Sequence, residues 1–563
     1  MAAVTIYING QEIQAEDGQT VLQAAQAAGV HIPTLCHHAA VANWGGCRMC
    51  LIEVEPRGQL QPSCTFPVSQ GLRVQTDSEK VVRSRKFVLN LLFSERGHYC
   101  MYCAASGSCE LQNLAYEYGL DHWLYGRPNE AREVDASRPY FTMDHNRCIL
   151  CRRCIRGCDE ISAVHVLGIG QRGAKSIVVA DLDAPFGQSS CISCGTCLQL
   201  CPVGALVDRK SAYMGRDEEL ASVKTACFEC GVGCGPVARV RSDRLVRIEG
   251  DWDAEPNHGL LCKMGRFEPL RVTARRVHAP MRRVGGRLLP CSWEEAFAAI
   301  APRLAGNTVA LVSSRATDEE IAAFLETFAF GRVALYGGAA APATPGRSCG
   351  LGDVERASAI VALGVELDDE HEVVASFVRR ALDRGANLFL LGSHAAKLSG
   401  LATQEGDLSA ASGLTEALTG ESSVVVLFGP AATAASLETL AGLSNARFLP
   451  LHSGTNTAAA LARGVPCQAP SEADTLYVYA ADDPAASVPA IKAGFVVAHA
   501  TYHSALTESA DLVLPALHWT EKLGHLTNIE GRTVEARRAV AIPAALRDDR
   551  DVFASLRSVR VQA

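Results

Sequence analysis

Residues 147–160 read RCILCRRCIRGCDE and residues 190–206 read SCISCGTCLQLCPVGAL. Each places four cysteines at C-x2-C-x2-C-x3-C: Cys148, Cys151, Cys154 and Cys158 in the first, Cys191, Cys194, Cys197 and Cys201 in the second, where Pro202 follows. This is the ligand run for paired 4Fe-4S clusters, in which the fourth cysteine of each run reaches the other cluster. One cluster is therefore expected on Cys148, Cys151, Cys154 and Cys201, and its neighbour on Cys191, Cys194, Cys197 and Cys158. Structural zinc also takes four thiolates, but two runs of identical spacing leave that alternative little room.

Three further constellations flank this pair. Cys36, Cys47, Cys50 and Cys64 give C-x10-C-x2-C-x13-C, with Gly45 and Gly46 beside the close pair, a four-thiolate set suited to a 2Fe-2S cluster. Zinc is the blander reading there. The stretch GHYCMYCAASGSCELQ, residues 97–112, offers only Cys100, Cys103 and Cys109. That is one thiolate short of a 4Fe-4S set, and His98 stands two positions ahead. A lone histidine is ordinarily a surface residue, but the ligand shortfall favours His98 as the fourth ligand. Finally Cys227, Cys230, Cys234 and Cys262 give C-x2-C-x3-C-x27-C, with strand-like sequence between them that can fold the last cysteine back. These sets use all 19 of the cysteines that precede residue 263, out of 22 in the chain.

Composition agrees with such chemistry. In a reducing compartment, dense cysteine at short spacings means metal or redox work rather than disulfide scaffolding. A formal net charge of −8 with mixed signs gives no basic footprint for nucleic acid. No apolar run approaches the roughly 18 residues of a membrane span, and MAAVTIYINGQEI lacks the pattern of a signal peptide. A cytoplasmic protein is expected, peripheral to a membrane only through partners. The 563 residues suit several domains. Alternation in VTIYI and QEIQA around Asn9-Gly10 reads as a hairpin, followed by an alanine-rich helix capped by Thr20 and ended at Gly29. VVRSRKFVLNLLFSER reads as a helix leading to His98.

After residue 276 the pattern changes to an alternating α/β domain. TVALVSS, RVALYGG, SAIVALG, NLFLLGS, SVVVLFG, TLYVYAA and GFVVAHA are short apolar strands, with helices such as DEEIAAFLETFAF between them. The chain is thus expected to be multidomain α+β and α/β. A 2Fe-2S ferredoxin-like (β-grasp) domain is expected at 1–78, a 4Fe-4S domain with one histidine and three cysteine ligands at 79–138, and a two-cluster 4Fe-4S ferredoxin domain at 139–215. A further 4Fe-4S domain at 216–275 and the α/β domain at 276–563 complete it. One 2Fe-2S and four 4Fe-4S clusters in so short a length form an electron conductor. Each cluster moves one electron, so a hydride donor must be split by a flavin. No G-x-G-x-x-G follows a strand with an acidic residue at the right distance, which assigns the flavin and nicotinamide to another chain.

Through IPTLCHH, GGCRMC, GHYCMYCAASGSCELQ, DHNRCILCRRC and CISCGTCLQLCPVGAL, residues 1 to about 210 resemble the iron-sulfur diaphorase subunit of bidirectional NAD(P)-linked nickel-iron hydrogenases. The same layout occurs in the large subunit of NAD-linked formate dehydrogenases and in the 75 kDa type subunit (the G subunit) of complex I. The resemblance implies that His98 is a cluster ligand. It also implies partners: an FMN-bearing, NAD(P)H-binding diaphorase subunit, a small thioredoxin-like 2Fe-2S subunit, and either a nickel-iron hydrogenase or a quinone-reducing module. Only Tyr99 separates His98 from Cys100, and ligands for both ferredoxin-type clusters are present, two details that point to the hydrogenase side. The G subunit of NADH:quinone oxidoreductase and a formate dehydrogenase are the alternatives.

LLCKMGRFEPLRVTARRVHAPMRRVGGRLLPCSWEEAFAAI and EKLGHLTNIEGRTVEARRAV resemble the molybdopterin oxidoreductases. Three departures from that pattern imply a half without molybdopterin and without catalytic residues. Cys349 has no histidine partner, the lysine expected two places after the last cluster cysteine is Met264 with Lys263 before it, and the chain ends soon after EGRT.

Overall fold

The structure is a computed structural model that describes residues 2–122, 124–126 and 131–562. The chain condenses into two units, Met1–Leu220 and Ala221–Ala563.

The first unit opens with the hairpin Ala3–Ile8 and Gln11–Glu16, whose turn residues Asn9 and Gly10 take φ of 53° and 82°. Two successive positive φ values are what a two-residue hairpin requires, and Asn-Gly adopts them at least cost. Three further strands complete a five-stranded sheet. Its inner face, Ile6, Ile8, Ile13 and Ala15, packs on Val21, Leu22, Ala24 and Ala25 of the helix Val21–Ala27. Thr20 and Gln23 close a capping box at the start of that helix, and Gly29 at φ 72° ends it. The helix Glu79–Glu95 follows, capped by Ser78. Beyond it the elements are short: the helix Glu110–Glu117, helices of four and five residues at Arg153–Arg156 and Thr196–Leu200, and strands of two to four residues.

The second unit begins with an antiparallel three-stranded sheet, Ala221–Lys224, Pro236–Arg241 and Arg244–Gly250. All seven strands expected in the second half are present, but they divide between two sheets. Thr308–Ser313, Arg332–Tyr336, Glu472–Ala481 and Lys492–Ala500 are parallel neighbours in a seven-stranded sheet. Ala359–Leu363, Asn387–Leu391 and Val424–Phe428 lie in a parallel five-stranded sheet that runs, in chain order, 3-2-1-4-5. The chain leaves the larger sheet, builds the smaller one between residues 359 and 450, and returns. Both sheets are doubly covered, so Val309, Leu311, Val361, Val426, Tyr477 and Tyr479 are wholly or almost wholly buried. Among the described residues no helix is long and apolar enough to cross a membrane.

Candidate metal centres

None of the 22 cysteines is in a disulfide. Cys36, Cys50 and Cys64 are buried at the rim of the first sheet, Cys50 and Cys64 within its hydrophobic core. The four thiols contact in pairs: Cys47 donates to Cys36, holding it down at about 5, and Cys64 donates to Cys50, holding it at about 7. Such pairing brings together the four sulfurs a 2Fe-2S cluster would use. The loop is fixed from outside by Arg85 on the helix Glu79–Glu95. Its Nε donates to the carbonyl of Met49 at 3.0 Å and its Nη2 to that of Leu51 at 2.7 Å, which straddle Cys50.

His98, Cys100, Cys103 and Cys109 line one cavity, together with Phe93, Arg147, Val203 and Gly204. His98 is 9% exposed, and its Nε2 is buried without a hydrogen-bond partner. Burial, then the nearby Arg147 and Arg96 charges, push the imidazole down to about 4, so it is neutral, as a ligand must be. Phe93 meets the ring edge-on at 5.4 Å and fixes its plane. Gly204 matters because a Cβ there would lie 2.5 Å from the Cys103 sulfur. An orphaned imidazole nitrogen, three thiols and a wall with no side chain fit a cluster held by one histidine and three cysteines.

The two ferredoxin-type runs fold alike. Leu150 and Ser193 occupy matching places and both take positive φ, 53° and 62°, as do Arg152 and Gly195 at 58° and 73°. These left-handed turns aim backbone amides at sulfur: Leu150 N donates to Cys148 Sγ and Ser193 N to Cys191 Sγ, each at 3.4 Å. The fourth cysteines cross over. Cys158, Cys191, Cys194 and Cys197 line a single cavity, while Cys201 acts electrostatically on Cys151 and Cys154. Burial pushes Cys148 up to about 11 and Cys158 up to about 12. The bare protein therefore favours thiols, and iron capture displaces protons. Arg138 is 8% exposed and holds the second run through Ser193 Oγ at 2.7 Å and the Cys191 carbonyl at 3.0 Å. Arg153 forms a two-point pair with Glu110, next to Cys109, at 2.6 and 2.8 Å.

In the second unit Cys227, Cys230, Cys234 and Cys262 are all buried, and burial pushes Cys262 up to about 12. Gly265 leaves room beside Cys227, where a Cβ would sit 3.1 Å from its sulfur. Residues of the loops that follow strands of the α/β domain grip this loop. Arg315 Nη2 donates to Glu229 Oε1 at 3.0 Å, Thr455 Oγ1 to the Phe228 carbonyl at 2.5 Å, and the Gly231 carbonyl accepts from Ile529 N at 2.8 Å. Arg315 also pairs with Asp482 at 2.8 Å. A cavity of about 330 Å³ opens beside this bridge, lined by Met264, Tyr502, His518 and Trp519 among others.

Cys349 and Lys263, two positions at which the sequence departs from the molybdopterin-oxidoreductase pattern, do not line this cavity. Cys349 is absent from the lining of that cavity and of the neighbouring one of about 170 Å³. Lys263 is tied to Asp369 at 2.7 Å, and Glu229 and Arg315 of the bridge line both cavities. The thiol of Cys349 is pushed up to about 12 by burial and then Asp353, which disfavours its thiolate.

Sequence reasoning named the thiols and His98 as candidates but not the arginines packed against them, Arg85, Arg138, Arg153 and Arg315. Arg153 lies inside a ligand run, where a cation is usually solvated. Only its Glu110 partner 43 residues away reveals its task.

Family models match along the chain in order. They are a 2Fe-2S iron-sulfur cluster binding domain at 1–79, the NADH-ubiquinone oxidoreductase-G iron-sulfur binding region at 85–123, and the NADH-quinone oxidoreductase subunit 3 ferredoxin-like domain at 138–207. The molybdopterin oxidoreductase Fe4S4 domain matches at 220–273, and molybdopterin oxidoreductase at 276–425 and 435–559. The second G subunit of NADH-quinone oxidoreductase from Rhizobium meliloti is 34% identical over 297 residues, 52% of this chain and 34% of that protein's length. The G subunit of NADH-quinone oxidoreductase from Mycobacterium bovis is 30% identical over 624 aligned residues, covering 94% of this chain and 76% of its own. A crystal structure of an NAD+-reducing nickel-iron hydrogenase is 37% identical over 38% of this chain and 91% of its own, with a TM-score of 0.37, too low to carry an argument. The expected hydrogenase identity thus finds less support than its complex I alternative. The chain has 2Fe-2S and 4Fe-4S domains followed by a molybdopterin-oxidoreductase-like domain, and the Mycobacterium bovis protein matches 94% of it, so it belongs to the family of NADH-quinone oxidoreductase G subunits.

Proposed function

We propose that this chain is the iron-sulfur electron-transfer subunit of an NADH-linked multisubunit oxidoreductase of the NADH:quinone type. In this reading it receives electrons from a flavin-bearing, NADH-binding chain and passes them toward a quinone-reducing module. It lies at a membrane only through its partners. The observation that carries the reading is the convergence of His98, with its orphaned buried Nε2, and three cysteines on one cavity. Bound clusters would supply one-electron steps. The residues proposed to hold them are Cys36, Cys47, Cys50 and Cys64 for the 2Fe-2S centre, and His98, Cys100, Cys103 and Cys109 for the first 4Fe-4S centre. The ferredoxin pair uses Cys148, Cys151, Cys154 and Cys201 in one centre and Cys158, Cys191, Cys194 and Cys197 in the other. Cys227, Cys230, Cys234 and Cys262 hold the last. Neutral His98 is in the form that ligates, and the buried thiols would release their protons on binding iron.

A nickel-iron hydrogenase as terminal partner is the second reading. What favours it is the complete second ferredoxin set around its own cavity.

Anaerobic purification followed by iron and sulfide analysis tests the relay. One 2Fe-2S and four 4Fe-4S clusters require about eighteen irons per chain. Far fewer irons, or zinc in their place, sinks the proposal. Identifying the chains that co-purify, by mass spectrometry, separates the two partners.

A further inference from the structure

Within the first unit, the loop that carries Cys36 does not end in solvent. It is seated on residues 152–160, the segment that links the ferredoxin ligands Cys151, Cys154 and Cys158. The Nη2 of Arg156 donates to the carbonyl of Cys36 at 2.5 Å and to the carbonyl of Cys151 at 3.4 Å. One nitrogen thus holds the backbone of a 2Fe-2S ligand and that of a 4Fe-4S ligand, so the two carbonyls are no further apart than those distances together. The Nη1 of the same guanidinium donates to the Ala42 carbonyl. Two contacts reinforce it: Ala42 N donates to Glu160 Oε2 at 2.6 Å, and the Arg152 guanidinium lies over the Trp44 ring at 4.6 Å.

We propose that Arg156 is a positioning residue that locks the 2Fe-2S loop against the first ferredoxin loop and so fixes the approach of the two centres. The inference rests on the cluster assignment proposed above. Three carbonyls bound by one planar fork define a distance and an orientation together, which a single-point ammonium cannot do. An ordinary tether would hold the loop to the surface without regard to which residues it joined. Here the joined residues are a ligand from each of two sets.

The test uses the full chain, purified anaerobically and reduced, as wild type, Arg156→Lys and Arg156→Met. Two quantities are read: iron content, and microwave power saturation of the 2Fe-2S EPR signal, which reports a fast-relaxing neighbour. Iron content is expected to stay at the wild-type level, while the 2Fe-2S signal of Arg156→Met saturates at clearly lower power and Arg156→Lys falls between. Unchanged saturation in Arg156→Met at full iron overturns the proposal. Should that variant shed the centre, Arg156→Lys carries the comparison, and loss from both assigns Arg156 a purely structural role and also overturns it. A wild type without a 2Fe-2S signal instead defeats the cluster assignment itself.

Discussion

Leaving a buried polar atom without a hydrogen bond costs about 1–3 kcal/mol, and His98 Nε2 is such an atom. The residue lines a cavity that it shares with Cys100, Cys103 and Cys109. If the nitrogen is a ligand, His98→Cys supplies a thiolate in its place. That variant is expected to keep a four-iron centre with an altered EPR signature, whereas His98→Ala loses or degrades it. Iron content and EPR of both variants check this, and a spectrum unaltered in both refutes the ligand role. At this scale the sequence was most legible. Ligands must recur at spacings a metal dictates, so the counting of thiolates, and the shortfall at Cys100, Cys103 and Cys109, pointed to His98. The arginines were not legible in the same way. A guanidinium acts through partners far along the chain, as Arg85 does at Met49 and Arg315 does at Glu229, and no local spacing encodes such a pair.

Among the elements, the loop Cys227–Cys234 illustrates how a scaffold can serve a cluster without contributing a ligand. It is held at Glu229 by Arg315, which follows a strand of the seven-stranded sheet, at Phe228 by Thr455, which follows a strand of the five-stranded sheet, and at Gly231 by Ile529, in the turn between the paired strands Gly524–Thr527 and Thr533–Ala536. Arg315 is the central fastening, 17% exposed and flanked by the carboxylates of Glu229 and Asp482. Removing it leaves two carboxylates poorly solvated, so Arg315→Met is expected to destabilise the second unit by about 3–5 kcal/mol. The Cys227 centre should then be lost before the others on mild oxidation. Lys263→Ala removes a pair whose Asp369 partner is 65% exposed, and is expected to cost less than about 1 kcal/mol. Calorimetric unfolding of the two variants checks the contrast, and equal effects would show that the bridge is not a fastening. The strands themselves were readable, since apolar runs such as 308–313 and 424–428 have to be buried on both faces. Their division into two sheets was not. Pairings such as Val309 with Leu476 join residues far apart, and alternating strands and helices look the same whether they build one sheet or interrupt it with another.

For the whole molecule, the two units draw their stability from different sources. The second unit has a mixed seven-stranded sheet, a parallel five-stranded sheet and a buried polar network in which Lys522 meets Glu320 at 2.8 Å and His499 meets Asp549 at 3.1 Å. It can bury enough apolar surface to hold its fold from side chains alone. Among the described residues of 79–220, one long helix is followed by helices of three to eight residues and strands of two to four, around twelve proposed ligands. Elements so short are marginal by themselves. Where cluster ligation supplies the missing free energy, metal binding and folding are one equilibrium. Iron removal by an anaerobic chelator is therefore expected to open residues 79–220 to protease while the sheets of residues 276–563 stay protected. Limited proteolysis of loaded and iron-depleted protein, with fragments identified by mass spectrometry, reads this directly. Equal protection of both segments after iron loss would mean that the first unit folds on its packing alone, and that its thiols are passengers of the fold rather than its support.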